Sequence, residues 1–393
     1  MAKKTKHERF QVSGLNSDFN FEHLTFADYI VRMREVIEKT RCDLTPETTE
    51  AIVDANSPYE WVPPSISARN PKTGKIKNGV LLIHGLFDSP YMLLNIANHF
   101  IARDYLVRAI LLPGHGTRPG DLLKLKYNAW IKATEFGIKS FQHEVENFYI
   151  CGFSTGALLA LNQAYEHDNI KGIFAFSPAV RLQQQVAIIS SISTLIGRTI
   201  AGIQWYSRND DKDYAKYHSV TFNSARQVYL LTRKLANKQL LKKLDIPIFM
   251  ALSSDDEVLS VKSVMQYFKK LPNVKNELYL YTRDEMLVDD NRIRLLQSHY
   301  PEKHIIDFSH VAIPVAPDHP HYGEYYAAKE AHYYIPPHAR LLKAKSKAPD
   351  IYLGALTPRN LQKYYLKRLT YNPDFNNLMS KLNDFIVKIN NET

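Results

Sequence analysis

Five consecutive residues, Gly152-Phe153-Ser154-Thr155-Gly156, spell G-x-S-x-G. By composition this pattern arises by chance in about one chain in ten of this length, so its surroundings decide its meaning. It directly follows the apolar run Phe148-Tyr149-Ile150-Cys151 and opens Ala157-Leu158-Leu159-Ala160-Leu161, a strong helix former. A serine on a sharp strand-to-helix turn is held in strained backbone, with its hydroxyl pushed out above the sheet. Small residues are needed at Gly152 and Gly156 because bulk there would clash across the turn. A glycine-flanked loop serine would carry the same letters without the chemistry.

A nucleophilic serine requires a base, and the base an orienting carboxylate. It also requires donors aimed at the developing oxyanion. Two backbone amides suit that role: Thr155, immediately after the serine at a helix N-terminus, and Leu86, in the loop His84-Gly85-Leu86 after the first apolar strand. His84 is itself a candidate base, but a histidine there more naturally shapes the turn by hydrogen bonding. For the carboxylate, the apolar run Ile246 to Leu252 ends in Ser253-Ser254-Asp255-Asp256-Glu257. Strands of a parallel sheet end on one side, so an acid there lies near the nucleophile. Asp256 is preferred, with Asp255 as the alternative and a loop- or helix-capping role for the loser. For the base, His304 to Phe308 reads as a short strand leading to Ser309-His310, and His310 completes the order Ser, Asp, His. His299, His304, His319 and His321 compete with it. A histidine metal cluster is a further alternative, although the accompanying acids and spacing are not distinctive.

The elements that must position these residues form an α/β pattern. Short apolar runs at Val80–Ile83, Tyr105–Leu112, Phe148–Cys151, Ile173–Phe176 and Ile246–Leu252 alternate with helical stretches near Tyr91–Arg103, Trp130–Glu146, Thr155–His167 and Val261–Lys270. Such alternation indicates a mostly parallel sheet covered by helices on both faces. Residues 1–74 read as an N-terminal extension packing on the body, in which Ile30, Met33, Val36 and Ile37 fall at helical spacing. Residues 75–180 and 244–393 read as the core. Residues 181–243 read as a helical cap, because Ile189, Ile192, Ile196, Ile200 and Ile203 step by three or four along one face. An insertion at the strand ends would overlie the ligand site, although the same face could simply pack on the body.

Composition bounds the class. The 393 residues are 45% hydrophobic and 23% charged, which supports a sizeable core and excludes wholesale disorder. Cys42 and Cys151 are the two cysteines, too few for a disulfide framework or a four-thiolate zinc site, so a reducing, cytoplasmic setting is expected. The basic start MAKKTKHERFQ leads into no secretory apolar core, and the stretch from Val186 to Trp205 is broken by polar residues. Lys+Arg total 50 against Asp+Glu 40, a formal net charge of +10. Part of this excess sits at Lys3, Lys4 and Lys6 and at Arg340, Lys343, Lys345 and Lys347. It reads first as solvated surface charge and secondly as weak contact with an anionic membrane surface. No nucleic-acid-binding signature is present, and none is expected as a partner.

Taken together, LLIHGLFDSP at 81–90, LLPGHGTRPGDL at 111–122, GFSTG at 152–156 and SSDDEVL at 253–259 resemble the α/β-hydrolase superfamily. The branch most similar is that of carboxylesterases, monoacylglycerol lipases and lysophospholipase-like serine hydrolases. Pro113-Gly114-His115-Gly116 is its most specific segment, and Trp130 at a following helix start fits it too. The tract FSHVAIPVAPDHPHYG at 308–323 is similar to bacterial members whose triad histidine follows a serine, which supports His310. Tyr371 to Phe375, leading into Leu378–Ile389, resembles the terminal helix. The resemblance spans roughly residues 75–390. It implies an eight-stranded, mostly parallel sheet, a cap over the strand ends, a triad of Ser154, His310 and Asp256, and no cofactor and no metal. The interval from Asp256 to His310 is longer than usual for the family, with an insertion around Thr282 to Glu302 that has room for a helix.

The expectation is therefore a serine hydrolase of carboxylic esters acting through an acyl-enzyme, on acylglycerol, lysophospholipid or short acyl substrates. A thioesterase or proline-releasing aminopeptidase of the same fold is the first rival. An acid in the cap, such as Asp210, Asp211 or Asp213, would favour the peptidase by binding a substrate amine. A non-catalytic binding protein is the second rival. Sequence alone leaves the oligomeric state and the task of the N-terminal extension open.

Overall fold

The computed structural model of the chain describes residues 8–17, 20, 23–183, 204–209, 213–329, 334–337 and 350–391. The isoleucine series from Ile189 to Ile203, Asp210, Asp211 and the basic residues singled out near both termini lie outside them. The chain forms two compact units, Met1–Phe174 with Gln184–Ile246, and Ala175–Gln183 with Pro247–Thr393.

The first unit runs α1 (Phe26–Thr40), α2 (Thr49–Asn56), β1 (Tyr59–Trp61), β2 (Ile76–Ile83), α3 (Leu94–Ile101), β3 (Tyr105–Ile110), α4 (Tyr127–Lys139), β4 (Val145–Phe153) and α5 (Thr155–Ala164). It continues through β5 (Ile170–Phe176), whose last two residues belong to the second unit, and then β6 (Trp205–Ser207), β7 (Val220–Thr221) and α6 (Phe222–Leu241). Strand order is β1-β3-β2-β4-β5. β2 pairs parallel with β3 and β4, while β1, at the edge, is antiparallel to β3. Val80 to Ile83 are wholly buried, as their unbroken apolar run requires in a strand covered on both faces.

The N-terminal stretch is built onto this sheet. α1 begins at a capping box in which the Asp28 amide donates to Thr25 Oγ1 at 3.1 Å and the Thr25 amide donates to Asp28 Oδ2 at 3.3 Å. Tyr29, Met33, Val36 and Ile37 form its buried face. The Tyr29 hydroxyl donates to the Leu111 carbonyl and accepts from the Leu111 amide, both at 3.0 Å, fixing the helix to the end of β3. α6 is anchored beside α4 and α5: Asn223 Nδ2 donates to the Leu122 and Leu125 carbonyls, and Lys238 Nζ to the Asn162 carbonyl.

The second unit holds β8 (Ile248–Ser253), α7 (Val261–Lys269), β9 (Glu277–Thr282), β10 (Ile293–Gln297), α8 (Glu324–Lys329), β11 (Ile351–Gly354), α9 (Pro358–Lys363), β12 (Tyr365–Arg368) and α10 (Phe375–Asn390). β8, β9 and β10 are successive parallel neighbours, and β11 and β12 form a separate parallel pair. α10 buries Leu378, Leu382, Phe385 and Ile389 on one face. No helix among the described residues is long and apolar enough to cross a membrane.

Three local expectations differ from the structure. The helix read over Trp130–Glu146 ends at Lys139, and Val145 already begins β4. The insertion after Thr282 holds strand β10, not a helix beyond the short 3-10 turn Pro301–Lys303. There the Asp290 side chain accepts from the Arg292 amide in a tight turn, and the following five residues pair in register with β9. The run His304–Phe308 is not a strand of its own. His304 is left-handed at φ 54°, and Ile305 alone makes bridges, to Tyr300 and Leu353.

Candidate active site

β4 delivers Phe153, and α5 starts at Thr155, so the chain reverses its character across one residue. Ser154 takes φ 54° and ψ −111°, a left-handed conformation costly for a residue with a side chain. The flanking glycines are sterically required. A Cβ on Gly156 would lie 2.0 Å from the Ile83 carbonyl oxygen, and one on Gly152 would lie 2.4 Å from the Ala157 nitrogen. Backbone cannot yield as a flexible side chain can. The amide of Thr155, the first of α5, and that of Leu86 have no hydrogen-bond partner among the described residues.

The Leu86 loop is pinned from two sides. Phe87 is left-handed at φ 68°, and its carbonyl accepts from the Tyr217 amide at 2.8 Å. Asp88, with a 4% exposed side chain, is ion-paired to Lys216 Nζ at 2.8 Å. Behind them, Ser89 Oγ donates to the Ala55 carbonyl and Asn56 Nδ2 to the Tyr214 carbonyl, both at 2.8 Å. Helix α2 thereby supports both the loop and the segment that pins it.

His84 shapes the turn and is not free to act as a base. Its Nε2 accepts from the Leu112 amide at 3.0 Å, so Nδ1 carries the proton and donates to the Gly85 carbonyl at 2.8 Å. Burial, and then the neighbouring His115, hold its pKa well below the ordinary value. Burial also lowers His115 to about 4.

In the second unit, β8 ends in the acidic loop. Asp256 Oδ1 accepts from the amides of Val258 at 2.9 Å and Leu259 at 2.8 Å. Its Oδ2 meets His310 Nδ1 at 2.6 Å, with the carboxylate fully buried. Of the sequence-predicted residues, the structure brings these two together. Asp255 is turned elsewhere: it accepts from the Ser254 hydroxyl at 3.1 Å and lies 3.4 Å from Arg283. The competing histidines have other surroundings. His299 Nδ1 lies 3.1 Å from the Ile306 carbonyl, and His304 stacks on Tyr352. His319 Nδ1 accepts from the amides of His321 and Tyr322, and His321 packs against Tyr322 and Tyr326. Ser154 belongs to the first unit and the Asp256–His310 pair to the second.

Sequence reasoning missed two charged pairs beside these loops, Asp88–Lys216 and Glu257–Arg368. Each joins residues more than one hundred positions apart, so neither periodicity nor spacing could signal it.

A family model described as Hydrolase_4, serine aminopeptidase S33, matches residues 74–285, more than half of the chain. The chain belongs to this family. It is thus an α/β-hydrolase, in keeping with the mostly parallel strands and flanking helices. Among individual proteins, this S33 hydrolase is 25% identical over 200 residues to the thermostable monoacylglycerol lipase of Bacillus sp. (strain H-257), covering 51% of the chain and 79% of that protein. Solved structures similar to it include a metagenome-derived lipolytic enzyme at 16% identity and TM-score 0.47, over 57% of this chain and 86% of that one. A soluble variant of Saccharomyces cerevisiae monoglyceride lipase, in complex with a substrate analog, gives 16% identity and TM-score 0.46, over 57% and 81%. The family match contains Leu86, Ser154, Thr155 and Asp256, whereas His310 lies beyond its end.

Proposed function

We propose that this S33 hydrolase cleaves carboxylic esters, of the acylglycerol, lysophospholipid or short acyl kind, through Ser154, His310 and Asp256. Ser154 Oγ attacks the ester carbonyl while His310 Nε2 takes its proton. The amides of Leu86 and Thr155 stabilise the tetrahedral oxyanion, His310 returns the proton to the leaving alcohol, and water then releases the acyl group. The observation that carries this proposal is the Asp256–His310 contact at 2.6 Å. With Asp256 Oδ1 occupied by two amides, Oδ2 is left to receive the Nδ1 proton, which frees Nε2 to act as base. The strained backbone of Ser154 supports the nucleophile's role, and the likeness to a monoacylglycerol lipase supports an ester over an amide. Free Cys42 and Cys151 are in keeping with a cytoplasmic enzyme.

One observation favours a second activity, aminopeptidase cleavage: the family description itself. Of the cap acids considered for binding a substrate amine, Asp213 is buried and its Oδ1 accepts from the Ala215 amide at 2.9 Å. A panel of p-nitrophenyl acyl esters, acyl thioesters and aminoacyl-p-nitroanilides, run with wild type and Ser154→Ala, separates the readings. Ester turnover abolished in Ser154→Ala is expected. Turnover confined to the aminoacyl amides would replace the esterase proposal with the peptidase.

A further inference from the structure

The stretch carrying His310 lacks the regular pairing that normally holds a catalytic loop, so its backbone groups must be met otherwise. The C-terminal β11–β12 ribbon, outside the family match, meets two of them, and residues just after each of its strands hold two side chains of the same stretch. The Ile306 amide donates to the Leu353 carbonyl and the Leu353 amide to the His304 carbonyl, both at 2.9 Å. The Ala355 amide donates to Asp307 Oδ1 at 2.7 Å, and the Ser309 hydroxyl donates to the Leu369 carbonyl. At His310 itself, Ser177 Oγ donates to the carbonyl at 3.1 Å, and the amide donates to Glu257 Oε2 at 3.0 Å. Glu257 Oε1 in turn accepts from Arg368 Nε at 2.7 Å, and the second guanidinium arm contacts the same oxygen. Arg368 is the last residue of β12.

Consecutive acids thus grip one histidine at two points, Asp256 at the ring and Glu257 at the backbone. Asp256 fixes the ring nitrogen it touches, and Glu257 fixes the backbone from which the ring hangs, so the two together set the direction of Nε2. We propose that Glu257, held by Arg368, is a positioning residue for His310, and that the C-terminal ribbon is required for the reaction through this contact. The inference rests on His310 being the base in the proposed function. A catalytic group displaced by about 1 Å can lose on the order of a hundredfold in rate. The loss falls on kcat, because neither Glu257 nor Arg368 is assigned any contact with substrate.

The test compares Glu257→Ala, Glu257→Gln and Arg368→Ala with wild type. It reads p-nitrophenyl butyrate kinetics, the rate of Ser154 labelling by a fluorophosphonate probe, thermal melting, and the His310 Nδ1 proton by NMR. For Glu257→Ala, kcat and labelling should fall roughly 10- to 100-fold with KM within about twofold, and the Nδ1 proton should broaden or shift. Glu257→Gln has one oxygen for two sets of donors and must turn it to the Arg368 guanidinium, so its NH2 opposes the His310 amide and kcat should fall about as far as in Glu257→Ala. A kcat for Glu257→Ala within twofold of wild type overturns the proposal, as does a Glu257→Gln protein that keeps wild-type kcat. If Glu257→Ala does not fold, half-exposed Arg368→Ala decides: a native-like melt with kcat down about fivefold or more supports the role, and an unchanged kcat overturns it. Should wild type neither turn over the ester nor take the probe, the esterase proposal falls. The Nδ1 proton then tests the grip by itself, its insensitivity to Glu257→Ala overturning the inference and its loss supporting it.

Discussion

Replacing Asp256 by Asn changes one atom and no shape, yet it should nearly abolish turnover. Asp256 Oδ1 faces two N–H donors, the amides of Val258 and Leu259 at 2.9 and 2.8 Å. An asparagine must therefore place its oxygen there, since an NH2 group would oppose two donors at once. Its NH2 then points at His310 Nδ1, where the carboxylate oxygen stood at 2.6 Å. Facing a donor, Nδ1 must become an acceptor, and the ring proton moves to Nε2, the atom proposed to take the serine proton. The wrong tautomer costs about 10⁴-fold in kcat in a comparable triad, or about 5.4 kcal/mol of transition-state stabilisation. Steady-state hydrolysis of p-nitrophenyl butyrate, with melting as a control for folding, measures it. Asp255→Asn, whose parent carboxylate faces Ser254 and Arg283, should stay within about threefold of wild type. An Asp256→Asn protein keeping more than a tenth of wild-type kcat would refute the tautomer reasoning.

Gly156→Ala sets a Cβ 2.0 Å from the Ile83 carbonyl oxygen, so we expect a stability loss of at least roughly 3 kcal/mol, or a shifted turn with labelling slowed on the order of a hundredfold; a native melt with unchanged labelling would contradict the steric account. His115, lowered from 6.5 to about 4 by burial, gives stability that is complete above pH 6.5 and lost as pH falls toward 4, because the unfolded chain takes up the proton first. Urea unfolding at pH 7 and pH 5 should show His115→Gln losing about 2 kcal/mol less than wild type, and equal losses would argue against a neutral buried imidazole. Lys216→Ala strands the buried Asp88 carboxylate and should lower stability by roughly 2–3 kcal/mol in urea melts; an unmoved midpoint would count against the pin on the Leu86 loop.

The local signals in the sequence were strong wherever one short stretch did the work. Gly152-x-Ser154-x-Gly156 between an apolar run and a helix former is such a case, and so is Val80–Ile83, whose complete burial is written in its composition. Asp256 could be preferred over Asp255 by position, but what distinguishes them is the Arg283 side chain, which claims Asp255 from the far end of β9. His310 is legible through chain order and resemblance, while the run before it folds as a left-handed turn and two isolated bridges at Ile305. Strands of three to five residues leave no such signal. Tyr59–Trp61, Ile293–Gln297, Ile351–Gly354 and Tyr365–Arg368 are too short to show an alternation of period two, and pairing with distant segments decides their conformation.

The most direct measurement is the site of covalent modification by a fluorophosphonate probe, read by mass spectrometry on wild type and Ser154→Ala. Wild type should carry one adduct, on Ser154, and Ser154→Ala should carry none while melting as wild type does. A well-folded wild-type protein that takes no adduct, or takes it on another residue, would contradict the assignment of Ser154 as the nucleophile.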